Sequence, residues 1–272
     1  MMSTQTAGST PPPVDRTRVA RTRTSRFNWR GFLAVSVFLL LWEVLVRWKV
    51  PGIAAVPGPL DSLAVFWSKY ATNAAYWQSW GASFRRVLAG FVVAQILGIP
   101  LGLLLGTRER FRELVFPVIE LLRPIPPLAW VPLSILFWPT HEFSIVFITF
   151  IGAFFIITIN VFDGVRGIRR EHVWLARSLG ANEARIFRRI VLPSVLPAIG
   201  VGMTIGIAVT WNVVIAAEMI AGDNGLGRLT WEGYVSHTST VVIIGMVSIG
   251  LAGYLSALVI AWVERRLAPW RN

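Results

Sequence analysis

Four stretches of this chain run for twenty or more positions without a charged residue: 87–107, 143–162, 190–217 and 240–263. About 20 residues of α-helix cross the ~30 Å hydrocarbon layer of a bilayer. Inside lipid every backbone N–H and C=O needs a partner within the segment or its neighbours, so each run is expected to be a helix. Two further apolar stretches complete the set. Residues 31–46 form one; the other is the Pro-rich run 124–140, which can extend back through 114–122. The expected fold is therefore all-α and membrane-spanning, with about six transmembrane helices. Composition agrees: 54% of residues are hydrophobic and only 15% are charged, with a mean hydropathy of +0.60.

The net charge of +12 comes from 24 Arg and only two Lys, Lys49 and Lys69. A basic excess suits either nucleic acid or the cytoplasmic face of a membrane. The arginines cluster between apolar runs, which favours the membrane and gives no reason to expect nucleic acid. With the N-terminus inside, segments 1–30, 107–113, 163–189 and 264–272 carry 19 basic residues and the outside segments carry six. The positive-inside rule then places both termini in the cytoplasm. Adjacent Arg85 and Arg86 at an outer helix end fit that scheme poorly.

The first 30 residues are polar, rich in Ser, Thr, Pro and Arg, and lack apolar periodicity. They are expected to be a disordered basic cytoplasmic tail preceding a transmembrane domain over 31–272. The charged start and Ala54-Ala55 mimic a signal peptide. The length of the run, with Trp42, Glu43 and the long polar leader, favours a span instead. Residues 49–86 form the longest outside segment, with an amphipathic helix expected near 60–70.

Catalytic constellations are missing from the sequence. No Lys precedes Ser or Thr as in a P-loop. His141, His172 and His237 lie far apart, and His141-Glu142 does not continue into a zincin motif. No serine occupies a Gly-x-Ser-x-Gly elbow, and the absence of cysteine removes disulfides and thiolate zinc sites.

Ionisable side chains within spans are costly and mark functional candidates. Glu120 and Arg123 are three apart and can pair on a helix. Arg123 opens the run Arg-Pro-Ile-Pro-Pro, which breaks helical hydrogen bonding at Pro126 and its neighbours. Such backbone survives at membrane depth only against protein or a water-filled cavity, where Arg123 could attract an anion. Trp211 and Glu218 are seven residues apart and share a helix face, with Asn212 adjacent. Arg123, Pro126, Trp211, Asn212 and Glu218 are thus candidates for a translocation pathway. For the Trp211–Glu218 face, helix packing is the alternative. Gly98, Gly102 and Gly106 recur every four residues as a stripe for close helix contact.

The segment 163–192 is the longest inner loop. Gly180 interrupts an otherwise helical pattern, and Ala181-Asn182 follow as a stop and restart. Ala176, Gly180, nine residues, Ile190 and Leu192-Pro193 match the spacing Glu-Ala-Ala-x3-Gly-x9-Ile-x-Leu-Pro of ABC importer permeases, with Trp174-Leu175 in place of Glu-Ala. Residues 84–106, 123–133, 152–167 and 216–227 resemble, in order, the nitrate/sulfonate/taurine subfamily, and the likeness runs over about 55–266. This resemblance implies the type I ABC importer permease fold. It also implies a bacterial inner-membrane transport subunit for a small anion such as taurine, an aliphatic sulfonate, nitrate or bicarbonate. Implied partners are a second copy of the permease, two ABC ATPase subunits, an extracytoplasmic substrate-binding protein and membrane lipid. The chain itself would bind no cofactor; ATP and Mg2+ would belong to the ATPase. Ala176, Gly180, Ala181, Glu183, Ile186, Ile190, Leu192 and Pro193 would form the ATPase-coupling loop. Two other readings are a secondary transporter or channel, which should show inverted repeats in matching halves, and a membrane-embedded enzyme, which should show clustered acid, base or metal ligands. The sequence displays neither signature.

Overall fold

The structure is a computed structural model in which residues 29–52 and 56–267 are described, and all regular structure among them is helical. The expected tail lies outside the described residues except for Trp29 and Arg30, which already belong to the first helix. Five helical stretches are long and apolar enough to span a membrane. They are α1 (Trp29–Arg47), α3 (Ala74–Thr107), α6 (His141–Arg166), the stretch Glu183–Ala221 that contains α9 (Leu192–Ala221), and α11 (Ser239–Leu267). The sixth expected span is broken. Helix α4 (Glu109–Leu122) and the helical stretch Pro127–Phe137, which ends in α5 (Val131–Phe137), meet at 88°. The cause is the run Pro124 to Pro127, whose three prolines remove three amide donors and bias preceding residues away from the helical region.

Shorter helices join these pieces. Helix α2 (Pro59–Val65) continues into a widened turn at Phe66–Tyr70, which places helix where the sequence predicts it. Helix α3 starts at Ala74, inside the segment expected to be an outer loop. Its first turn is capped by Asn73, whose side chain accepts from the Ala75 N–H at 2.9 Å. Helix α7 (Arg170–Ser178) and α8 (Glu183–Ile186) form the loop before α9, and α10 (Leu226–Val235) packs between α9 and α11.

The core is the contact of α3, α6 and α9. Helices α3 and α6 run parallel and nearly touch along the glycine stripe. A Cβ added to Gly102 would lie 2.6 Å from the Thr158 carbonyl oxygen, and one added to Gly106 would overlap the Val165 side chain. Small residues replace the missing hydrophobic driving force between helices in lipid with close van der Waals contact. By contrast α1 buries none of its side chains. It rests on α2 through Glu43, which accepts from Arg47 Nε at 2.7 Å and from the Leu60 N–H at 3.2 Å.

At the end of the bundle opposite the α7–α8 loop, the three core helices are tied by a buried ionic network. The Arg86 side chain on α3 is 2% exposed and Glu218 on α9 is fully buried. Arg86 donates to Glu218 Oε1 at 2.8 Å, to both carboxylate oxygens of Glu142 on α6, and to the backbone and side-chain oxygens of Asn224 at 2.7 and 2.8 Å. Ser83 donates to Glu218 and accepts from the Leu226 N–H, while the Gly227 N–H donates to Glu218 Oε2 at 2.9 Å. Every Arg86 nitrogen and both Glu218 oxygens are hydrogen-bonded, as low dielectric demands, while the Glu142 side chain is 54% exposed.

Removing one partner of a buried pair leaves an uncompensated charge, worth about 3–5 kcal/mol. Arg86→Met and Glu218→Met are each expected to lower thermal stability of the detergent-purified protein. The double replacement should cost less than the sum of the two, read as coupling in a double-mutant cycle. Additive losses would contradict the network.

Candidate functional site

Two regions hold the sequence candidates. The first is the loop. Helix α6 ends at Arg166 with Gly167 as its C-cap, and α7 begins at Arg170. At the end of α7 the Ala181 N–H donates to the Ala176 carbonyl at 3.0 Å and the Gly180 N–H to the Arg177 carbonyl at 2.9 Å. This pair of bonds is a Schellman motif, whose C′ residue must adopt left-handed φ. Gly180 supplies it with φ +77°. Ala176, Gly180 and Ala181 are therefore joined by one piece of local chemistry. Asn182 then caps α8, its side chain accepting from the Arg185 N–H at 2.9 Å, and Glu183 accepts from Arg177 across the break at 2.9 Å.

The loop has two faces. Ile186 is buried, and partly buried Ile190 and Ala181 pack on the same core cluster. A widened turn at Phe187–Val191 carries the chain into α9 at Leu192, with Pro193 its second residue. On the other face Leu175 and Leu179 stand in the open, 63% and 79% exposed, while Trp174, 59% exposed, borders the cavity behind the loop. Leu175 and Leu179 are four apart and lie on one side of α7. The apolar side chains of the loop thus separate: Ile186 is buried against the core, whereas Leu175 and Leu179 are exposed.

The second region is a groove of about 410 Å³ beside the 88° break. Arg123, Ile125 and Pro127 form one wall, and Gly152, Asn160 and Ile205 belong to the others. Arg123 is the one charged residue in this lining. The expected Glu120–Arg123 pair is absent: no carboxylate among the described residues lies within salt-bridge distance of Arg123. As the C-cap of α4, Arg123 still donates its N–H to the Ile119 carbonyl at 2.8 Å, so helical spacing from Glu120 is kept, but its side chain lines the groove. Pro126 is exposed in the break itself.

The α9 candidates divide by face. Trp211 is 4% exposed, donates to Ser256 Oγ on α11 at 2.9 Å and meets Phe84 edge-on. Glu218 belongs to the Arg86 network. These two share a face as the spacing predicts, and that face packs against α3 and α11. Asn212 points the other way, exposed, with its amide donating to the Ala208 carbonyl at 3.0 Å. Groove residue Ile205 is seven residues earlier on that same outward face. Sequence reasoning missed Asn160, for which a lone polar residue in an otherwise apolar helix was the available signal. It also missed Glu142 and Asn224 as partners of Arg86, and Ser83 as a partner of Glu218. There the only signal was an arginine pair where few arginines belong.

Residues 98–271 match the family model described as the binding-protein-dependent transport system inner membrane component. A putative ABC transporter permease of Methanocaldococcus jannaschii is 42% identical over 191 residues, covering 70% of this chain and 72% of that protein. The taurine transport system permease TauC of Escherichia coli is 29% identical over 260 residues, covering 91% and 94%. The nitrate import permease NrtB of Synechocystis is 30% identical over 245 residues, covering 88% and 89%. Among solved structures, an inward-facing MetNI methionine ABC transporter chain aligns with a TM-score of 0.55 at 22% identity, over 71% of this chain and 94% of that one, and so shares the fold. With its helices, its loop spacing and its relatives in agreement, the chain belongs to the binding-protein-dependent inner-membrane component family, as a membrane-spanning permease subunit of an ABC importer.

Proposed function

We propose that this permease moves a small oxidised anion, of the taurine, aliphatic sulfonate, nitrate or bicarbonate kind, across the cytoplasmic membrane by alternating access. The observation that carries the anion reading is Arg123, a cation without a carboxylate partner in an otherwise apolar groove at the broken span. Arg123 is exposed in the isolated chain, and a cation facing a pathway at membrane depth supplies the charge that a passing anion meets. Asn160 in the groove wall and Asn212 on the adjoining face of α9 add neutral donors that discriminate little among oxyanions. Relatives that carry taurine and nitrate support the same substrate class.

The working assembly is two copies of this chain, two ATPase subunits and an extracytoplasmic binding protein, with both termini of the permease cytoplasmic. Basic residues concentrated at the loop end support that orientation. ATP and Mg2+ act in the ATPase subunits. The α7–α8 loop is the coupling element: exposed Leu175 and Leu179 supply an apolar face for the ATPase, while Ile186 and Ile190 hold the loop to the bundle. Its Schellman motif and caps make it rigid enough to transmit a push as a body.

Two experiments test this reading in proteoliposomes containing the complete transporter and its binding protein. Arg123→Gln is expected to cut taurine or nitrate uptake about tenfold or more, the scale of one lost charge-assisted hydrogen bond of ~1.5–3 kcal/mol. Arg123→Lys should recover part of the loss. Unchanged uptake in Arg123→Gln would remove the anion argument, and uptake driven by an ion gradient without ATP would remove the coupling argument. Separately, Gly180→Val forces a β-branched residue into left-handed φ, a strain of roughly 1–2 kcal/mol. It should lower transport per ATP hydrolysed or weaken ATPase association, whereas Gly180→Asn, which tolerates that conformation, should stay near wild type. Equal behaviour of the two variants would sink the hinge.

A further inference from the structure

A second cavity, of about 520 Å³, lies behind the loop, where α7 and α8 pass over the ends of α3 and α6. Its wall carries Arg112, Arg166, Arg170 and Arg177, with Glu109 and Glu183 as the only acidic residues. The two glutamates are already engaged: Glu109 with Arg112 and Glu183 with Arg177, each at 2.9 Å. Arg166 and Arg170 have no carboxylate partner among the described residues. The Arg166 guanidinium is held over the Phe162 ring at 5.6 Å, a contact that orders the side chain and leaves its N–H edges available. The cavity therefore presents a formal excess of two positive charges on guanidinium groups, which match tetrahedral oxyanions with paired donors better than they match a single carbonyl. It sits at the last turns of two spans, the level of lipid headgroups, and Trp174 in the wall has the amphipathic character of interfacial side chains.

We infer that this cavity is a phosphate-binding site, in which Arg166 and Arg170 hold the phosphate group of an inner-leaflet anionic phospholipid or a free phosphate. Occupancy joins the start of α7 to the end of α6, so it restrains the loop relative to that span. The binding site stands independently of the coupling reading; any effect of the ligand on transport rests on it.

The test is hydrogen–deuterium exchange of the complete transporter, followed in peptides covering 165–191. It is measured in nanodiscs of phosphatidylcholine alone, with phosphatidylglycerol added, and with inorganic phosphate added against chloride of equal ionic strength. Ligand at roughly ten times its dissociation constant should slow exchange there about tenfold, since binding stabilises the closed state by mass action. Protection by phosphatidylglycerol alone identifies a lipid headgroup, and protection by inorganic phosphate as well identifies a site for the free anion. The response should vanish in Arg166→Gln/Arg170→Gln and persist in Arg265→Gln/Arg266→Gln, which removes two charges near the end of α11, outside the cavity. Exchange that is the same in all three conditions overturns the proposal without any variant. So does an equal loss of the response in both variants, which would mean a diffuse electrostatic effect.

Discussion

Burying the Arg86 guanidinium is the constraint on which the arrangement of this bundle depends. A charge that cannot be deprotonated, placed where it is 2% exposed, must be met by fixed acceptors on every side. The acceptors come from α6, α9 and the turn after α9, so one side chain on α3 fixes all three relative to it. The turn after α9 is held doubly, because Asn224 gives both its backbone and side-chain oxygens and Gly227 reaches back to Glu218. Gly225 at φ +120° leaves room for the Glu218 carboxylate, which a side chain there would displace. Such a network favours one packing sharply, since a shift of any helix strands a charge.

Below that clamp the core helices are held by proximity. Glycines on α3 bring its backbone against α6, and the α6–α9 contact is similarly close, with a Cβ on Gly202 falling 3.1 Å from Asn160 Cβ. The tightly joined part of the chain is therefore α3, α6 and α9, and the functional features lie at its margins. The groove forms where the broken span leans on this core. The loop hangs from its other end, anchored by Ile186 and Ile190 and apolar on its free side. A rigid core with one clamped end is suited to convert movement of the loop into movement of the groove walls.

Much of the loop could be read in advance because its chemistry is local. A Schellman turn needs Gly at one position and restart caps at the next, and Gly180, Ala181 and Asn182 declare both within a few residues. The spacing from Gly180 to Leu192-Pro193 could likewise be recognised without knowing what the loop touches. Which apolar side chains face inward was not legible: Leu175, Leu179 and Ile186 look alike in sequence, and only the direction in which α8 meets the core separates them. The same holds at the groove. Arg123 stood out as an arginine in an apolar run, but Asn160 becomes a wall residue only when α6 is laid against the break.

Taken alone, the sequence determined the number of apolar runs, the break at Pro124 to Pro127, the asymmetry of arginines and the glycine stripe. Each follows from a rule acting within one continuous segment: hydrocarbon thickness, the missing proline amide, charge at a membrane face, or the size of a side chain. The tertiary structure decided which charges belong together. Glu218 read as a pathway candidate and Arg86 as a misplaced cation; folding turns them into each other's partners across 132 positions of sequence, with Glu142 joining from 56 away. No local rule links residues at such separations. The link arises because low dielectric makes Arg86 and Glu218 intolerable alone, and only the packed helices bring them within reach.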